Sequence, residues 1–260
     1  MDNHSNLLDE ALGFNSKARV SPSGRVVLIE DSVETSGSFV LHHLMKHALS
    51  LNCSGIVLFV ALAQPFSHYD RILRKLGCNL VAQRDNNRLF FFDMLKLGCL
   101  DGDGGKIIEG QLLELYGKIQ KTIETDALPD QSKNPITIMI DDISLMEVAA
   151  HGSSNHVLDF LHYCHTLTLG PGCSLVVLNH EDIYSSLTGP TLILEMEYIA
   201  DIVIKAEPLA TGLASDVHGQ LMVVNKGIID ENGTLRTKLR NFHFKVKENS
   251  VEYFYPGSQS

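Results

Sequence analysis

The sequence has no Cys-x-x-Cys pair. Its five cysteines, Cys53, Cys78, Cys99, Cys164 and Cys173, are odd in number and widely spaced, which argues against a disulfide framework and favours reduced, mostly buried thiols of a cytosolic or nuclear protein. Positive charge is also short: 21 Lys and Arg stand against 31 Asp and Glu, a formal charge of -10. That balance argues against a free-standing nucleic-acid binder living on phosphate neutralisation, so any such contact must be local or shared with a partner. Long apolar runs are missing as well. His47 to Tyr69 carries no Asp, Glu, Lys or Arg, yet Asn52, Ser54, Gly55, Gln64 and Pro65 interrupt it, and the continuous stretch Ile56 to Ala63 is too short to span a bilayer. Met1 to Glu10 has early acidic residues and no apolar core, unlike a secretory signal or a transit peptide. There is no G-x-S-x-G elbow and no locally placed Cys–His pair, so a hydrolase has no support.

What is present is ordinary globular material: 44% hydrophobic and 20% charged residues over 260 positions, enough to build one sizeable core and too apolar for wholesale disorder. Ser5 to Gly13 reads as a short helix capped by Ser5 or Asn6 and stopped by Gly13, in an N-terminal tail of residues 1–24. From 25 to 257 a single domain is expected, with 258–260 as a tail. Val26-Val-Leu-Ile-Glu30 is apolar on both faces, as a strand covered by helices on both sides must be, and a helix with Leu41, Leu44, Met45 and Ala48 on one face follows a polar turn. The outline recurs with strands at Ile56 to Leu62, Leu89 to Asp93, Ile136 to Asp142 and Ser174 to His180. The helices between them carry Tyr69, Ile72, Leu73 and Leu76, then Ile108, Leu112, Leu115, Ile119 and Ile123, then Val157, Leu158, Leu161, Cys164 and Leu167. Asp101 to Gly105 reads as a flexible loop and Ala127 to Pro135 as a surface connection. After Glu197, strands at Ile199 to Ile204, Gln220 to Asn225, Phe242 to Lys247 and Val251 to Tyr255 follow with short turns. The fold class is therefore α/β: a doubly wound, mainly parallel sheet flanked by helices, with antiparallel strands added at the C-terminal end.

In such a fold a polyphosphate sits in the first strand-to-helix turn, where G-x-x-x-x-G-K-S/T supplies backbone amides, a lysine and a helix N-terminus. Here that turn is Asp31-Ser-Val-Glu-Thr-Ser-Gly-Ser38. Asp31 replaces the first glycine, Ser36 the second and Gly37 the lysine, and only Ser38 remains. The cation is gone, and Asp31 and Glu34 place carboxylates where a triphosphate would lie, a repulsion of several kcal/mol, roughly, in a partly dry site. Independent ATP binding is not expected, and no cofactor or metal is assigned. Asp141 and Asp142 stand where related folds hold Mg²⁺ through water; they read either as a surviving relic of that site or as caps of the next helical turn, Ile143 to Glu147.

Val26 to Ser38, Ser67-His-Tyr-Asp-Arg-Ile-Leu-Arg-Lys-Leu-Gly77, Ile136 to Asp142, and Ser174 to His180 with Tyr198-Ile-Ala-Asp-Ile-Val-Ile-Lys-Ala-Glu-Pro-Leu209 stand in an order that resembles the RecA-like superfamily and, within it, the family of the sixth Elongator subunit, with a plant source expected. That resemblance implies a RecA-like fold and a place in a heterohexameric ring of three related subunits in two copies each. It also implies a ring that binds tRNA, with ATP turnover by the assembly controlling release, in the modification of wobble uridines in cytoplasm and nucleus. The carboxymethylation itself would belong to a different, iron-sulfur and acetyl-CoA-using subunit.

By the same resemblance Ser144 to Asn155, with His151, Gly152, Ser153 and Ser154, and Glu181 to Gly189 would be pore-facing loops near RNA, although the first has no Lys or Arg. Solvated connections are the plainer reading. A second RNA-proximal candidate is the cluster Arg236, Lys238, Arg240, Lys245 and Lys247 around Phe242 and Phe244; edge lysines that deter aggregation are its alternative. Two other functions stay open: an active ATPase or kinase using Asp141 or Asp142, and a protein-docking adaptor without RNA contact.

Overall fold

A sheet needs both faces covered wherever both faces are apolar, and that requirement organises this chain. The computed structural model describes residues 6–14, 24–50, 55–96, 104–127, 134–150, 154–169, 173–184, 192–212, 214, 216–229 and 235–257 (backbone alone for 104–108, 126, 127, 184, 227–229, 235 and 236). Nine strands form one sheet: β1 (Val26–Asp31), β2 (Ile56–Ala61), β3 (Leu89–Asp93), β4 (Ile136–Ile140), β5 (Ser174–His180), β6 (Ile202–Glu207), β7 (Gly219–Ile229), β8 (Leu235–Val246) and β9 (Val251–Phe254). Their order is β3-β2-β4-β5-β1-β6-β7-β8-β9. Pairing is parallel from β3 through β6 and antiparallel from β6 through β9.

Alternation along β1 divides the core. Val26 and Leu28 face one cluster and Val27 and Ile29 the other, because successive side chains of a strand point to opposite faces. The first face is covered by α5 (Gly104–Thr122, continued by a π turn at Ile123–Ala127), α6 (Ile143–Ala149), α7 (Ser154–Leu169) and α8 (Leu192–Ile199). The second is covered by α1 (Leu7–Leu12), α2 (Ser38–Ala48), α3 (Phe66–Lys75) and α4 (Leu80–Asp85). Asn6 caps α1 by accepting the Leu8 amide at 3.1 Å, and Gly13 ends it with φ 84°. Leu8, Ala11 and Leu12 are buried, so this helix of the N-terminal tail is part of the core. Cys78, Cys164 and Cys173 are buried free thiols; Cys53 and Cys99 lie outside the described residues. Among the described residues no helix is long and apolar enough to cross a membrane.

Several local expectations are corrected. Gly104 and Gly105 open α5 instead of ending a loop. Ser144 to Ala149 is helical and Ser154 already begins α7, so of the expected Ser144 to Asn155 loop only Ala150, which caps α6, and residues 151–153, outside the described residues, are left between them. Most of Ala127 to Pro135 and of Glu181 to Gly189 also lies outside; Glu181–Tyr184 is a 3-10 turn. The strand expected at Ile199 starts at Ile202, since Leu192, Ile193 and Met196 bury one face of α8 just before it. β8 begins at Leu235, seven residues before the expected start. Its ladder with β7 outweighs the polar composition of that stretch.

Candidate functional site

The polypeptide leaves β1 at the carboxyl edge of the sheet and turns back at once. Ser32 and Thr35 exchange backbone hydrogen bonds, 3.1 Å from the Thr35 amide and 3.4 Å from the Ser32 amide. They close a tight turn whose tip, Val33, is 85% exposed. The Val33 amide donates to Asp182 Oδ2 at 3.1 Å, the Gly37 amide to Asp31 Oδ2 at 2.6 Å, and the Ser38 amide to Ser36 Oγ at 3.3 Å, while the Ser36 and Ser38 hydroxyls share a bond of 2.6 Å. A phosphate cradle works by leaving such amides unpaired and convergent. Here they are already committed.

Space matches this wiring. A Cβ on Gly37 would lie 3.0 Å from Ile29 Cγ2 and 3.3 Å from Asp31 Cβ. The position that a phosphate loop gives to lysine is therefore pressed against the core, and glycine fits it.

Beside this turn, three parallel strands end side by side and bring together residues distant in sequence. His180, the last residue of β5, directs Nδ1 to Asp31 Oδ1 and Nε2 to Asp142 Oδ2, the latter at 3.2 Å. Both carboxylates are buried. An imidazole that meets an acceptor at each nitrogen is held doubly protonated. Its hydrogen bonds with Asp142 and then Asp31, against the cost of burial, raise the His180 pKa to about 10. The cation of this pocket is thus supplied from inside the fold.

The acidic pair after β4 is equally committed. Asp142 caps α6, its Oδ1 accepting the Ser144 amide at 2.9 Å and the Ser144 hydroxyl. Asp141 Oδ1 accepts the Leu62 amide at 2.7 Å, and Oδ2 accepts the Ala63 amide at 3.1 Å and the Tyr69 hydroxyl. Burial pushes Asp141 up to about 6 despite these bonds. Among the described residues no group of three or more His, Cys, Asp or Glu is arranged to hold a metal. A third buried set lies one residue back: Glu30 meets Lys205 at 2.6 Å, and Lys205 meets Glu197 at 2.6 Å. Burial, more than the attraction of Lys205 offsets, lifts Glu30 to about 7.

Of the residues singled out from sequence, Asp31, Ser36, Gly37, Ser38 and Asp142 converge here, with Asp141 beside them. Sequence reasoning missed His180, Glu30 and Lys205. The signal was available for His180 alone, as the polar last residue of a buried strand. His151 and Ser153 lie outside the described residues. The cations of β8 divide between its two faces. Lys238 and Arg240 share a face with Phe242 and Phe244, Arg236 has the same parity by backbone register, and Lys245 points to the other side. Arg240 approaches Glu10 of α1 at 3.8 Å.

The bridge predicts an alkaline limb of stability. Because the folded pKa of His180 lies above the usual 6.5, its contribution is complete below pH 6.5 and is lost as pH rises to 10. Discounting for the 34% of the side chain that water reaches, this is worth about 2 kcal/mol. Urea unfolding from pH 7 to 10.5 should show that extra loss in the wild type relative to His180→Gln; parallel profiles would refute the bridge.

Comparison with known proteins agrees with this architecture. A family model described as Elongation complex protein 6 matches residues 7–248. Elongator complex protein 6 of Mus musculus is 31% identical over 252 residues, covering 90% of this chain and 91% of that protein. The Xenopus laevis protein is 29% identical over 248 residues with the same coverage, and that of Dictyostelium discoideum 23% over 317 residues, covering 92% of each. These relatives lend no support to a plant source. Among solved structures, a KaiC-like protein of Pyrococcus horikoshii superposes with a TM-score of 0.61 at 13% identity, covering 89% of this chain and 90% of its own. An uncharacterized protein of the same archaeon, crystallised with an unknown peptide, reaches 0.63 at 14% identity, covering 95% and 98%. At such identities the likeness shows the RecA-like fold and nothing finer.

Proposed function

Because the chain belongs to the Elongation complex protein 6 family, we propose that it acts as a non-catalytic subunit of Elongator, in a heterohexameric RecA-like ring with two related subunits. In this reading the ring binds tRNA and supports wobble-uridine modification in cytoplasm and nucleus. Nucleotide turnover and the carbon chemistry reside in other subunits, and the remaining Elongator subunits are its partners.

The observation that carries the proposal is the closed first turn. Groups that a triphosphate would use there are engaged within the protein: the Val33, Gly37 and Ser38 amides by Asp182, Asp31 and Ser36, and the cation of His180 by two carboxylates. Opening it would expose buried charge and orphan backbone donors, at several kcal/mol, roughly, before any contact with nucleotide forms. A single-chain ATPase using Asp141 is disfavoured, because both its oxygens are engaged by the backbone and Tyr69. For RNA, His151, Ser153, Arg236, Lys238, Arg240 and Lys245 remain the proximal candidates, with Arg236, Lys238 and Arg240 at same-face positions of β8.

Calorimetry of the purified chain with ATP and Mg²⁺ tests the central point, with filter binding of tRNA by the complete assembly alongside it. The expectation is no ATP binding tighter than about 1 mM, equivalent to about 4 kcal/mol, and tRNA retention by the assembly only. Micromolar ATP binding by the isolated chain would defeat the proposal.

A further inference from the structure

β8 is longer than the strand that closes the sheet. It pairs with β7 along Leu235 to Phe244, but with β9 only along His243 to Val246. Extending the β8–β9 register by two places would set Tyr255 against Phe242 and Pro256 against Asn241. The Tyr255 and Phe242 rings do lie 5.6 Å apart; Pro256 then has no N–H to donate, and Gly257 turns the chain away with φ 84°. Among the described residues no strand lies on the outer side of Leu235 to Asn241.

The groups exposed there can be named. The Lys247 amide donates to Ser250 O on the β9 side at 2.8 Å, whereas Phe244 O accepts the His218 amide on the β7 side at 2.9 Å. Adjacent residues of a strand alternate in this respect. The irregularity against β7 falls between Asn225 and Ile228, while β8 itself advances regularly from Lys238 to Arg236. Thr237, Leu239 and Asn241 therefore aim N–H and C=O outward, to the side on which no strand of the described residues lies.

Side chains flanking this edge have a definite chemistry. Lys238 and Arg240 lie on the α1 face, and Arg240 has a carboxylate, Glu10, no nearer than 3.8 Å. Leu239 lies on the opposite face, 56% exposed and registered with Val224. Two copies of the chain paired antiparallel about Leu239 would set Lys238 of each against Arg240 of the other, and like charges opposite each other destabilise a ladder. The same charges favour an acidic strand. Held by β7 on both sides of that irregularity, the edge is a preformed template, so an incoming segment alone pays the ordering cost.

We propose that Leu235 to Asn241 of β8 receives an extended acidic segment of another protein as a tenth strand, pairing with Thr237, Leu239 and Asn241 and placing carboxylates against Lys238 and Arg240. This does not depend on how the nucleotide site is read.

The test uses the full chain with two nine-residue peptides, one alternating valine and glutamate, the other valine and lysine, read by amide hydrogen exchange. The glutamate peptide should slow exchange at Thr237, Leu239 and Asn241 by at least about tenfold, and the lysine peptide should not. Leu239→Pro, which removes an outward N–H and leaves the β7 ladder intact, should abolish the effect. Lys238→Glu combined with Arg240→Glu, which alters no backbone group and serves if the proline variant misfolds, should switch the preference to the lysine peptide. Equal protection by both peptides overturns the proposal, as does protection that survives Leu239→Pro in a folded variant. So does concentration-dependent protection of the chain alone, which would indicate paired copies. Transfer RNA binding to the chain that is lost in the double variant but unchanged in Leu239→Pro would assign these cations to nucleic acid and equally overturn it.

Discussion

Replacing Asp31 by alanine is expected to destabilise the fold by about 3–5 kcal/mol, although the residue ends β1 beside an exposed turn, and surface substitutions mostly fall within about 0.5 kcal/mol. The reason is that its side chain is fully buried and serves two partners. It accepts the Gly37 amide at 2.6 Å and balances His180. Alanine leaves a buried N–H unpaired, at about 1–3 kcal/mol, and an imidazolium with Asp142 as its one remaining counter-charge. The pKa of His180 should fall with it. For a chain of this size the midpoint of thermal unfolding should drop by roughly 10 °C. Urea denaturation of the two proteins at pH 7 decides the matter: a difference under about 0.5 kcal/mol would mean that the bridge contributes nothing to closing the turn.

Restoring the missing lysine should fail to restore a nucleotide site. Gly37→Lys adds a Cβ 3.0 Å from the buried Ile29 side chain and 3.3 Å from Asp31 Cβ, overpacking that costs about 1–3 kcal/mol. The new ammonium would enter beside an imidazolium already shared by Asp31 and Asp142. The amides that should meet the phosphates remain donated elsewhere, and Glu34 still adds a carboxylate. ATP affinity should therefore stay weaker than about 1 mM while the urea midpoint falls. Micromolar affinity in this variant would show that the lysine alone was lacking and that the turn opens readily.

Much of this was legible residue by residue. The runs at Val26, Ile56, Ile136 and Ser174 are short and apolar on both faces, as a strand covered on both sides must be, and all four are interior strands of the sheet. Asn6 and Gly13 announced α1 because capping is local chemistry. Asp142 as a helix cap was one of two readings open from sequence, and its bonds to Ser144 show that it caps α6. The parity of Arg236, Lys238 and Arg240 against Lys245 was also readable, but charge was counted without regard to face. α4 and α8 were missed because short helices carry too few periods to stand out from loops.

By itself the sequence determined the alternation of strands and helices and the absence of a phosphate-binding lysine, since periodicity and missing side chains are properties of neighbouring residues. Only the tertiary structure decided what fills the vacated place. Asp31 and His180 are 149 positions apart, and they meet because β5 and β1 pair in parallel and end together. That adjacency follows from strand order, which no local stretch encodes, and two buried carboxylates, Asp142 and Asp31, then hold a histidine at a strand end as the cation of a closed turn, against the cost of its burial.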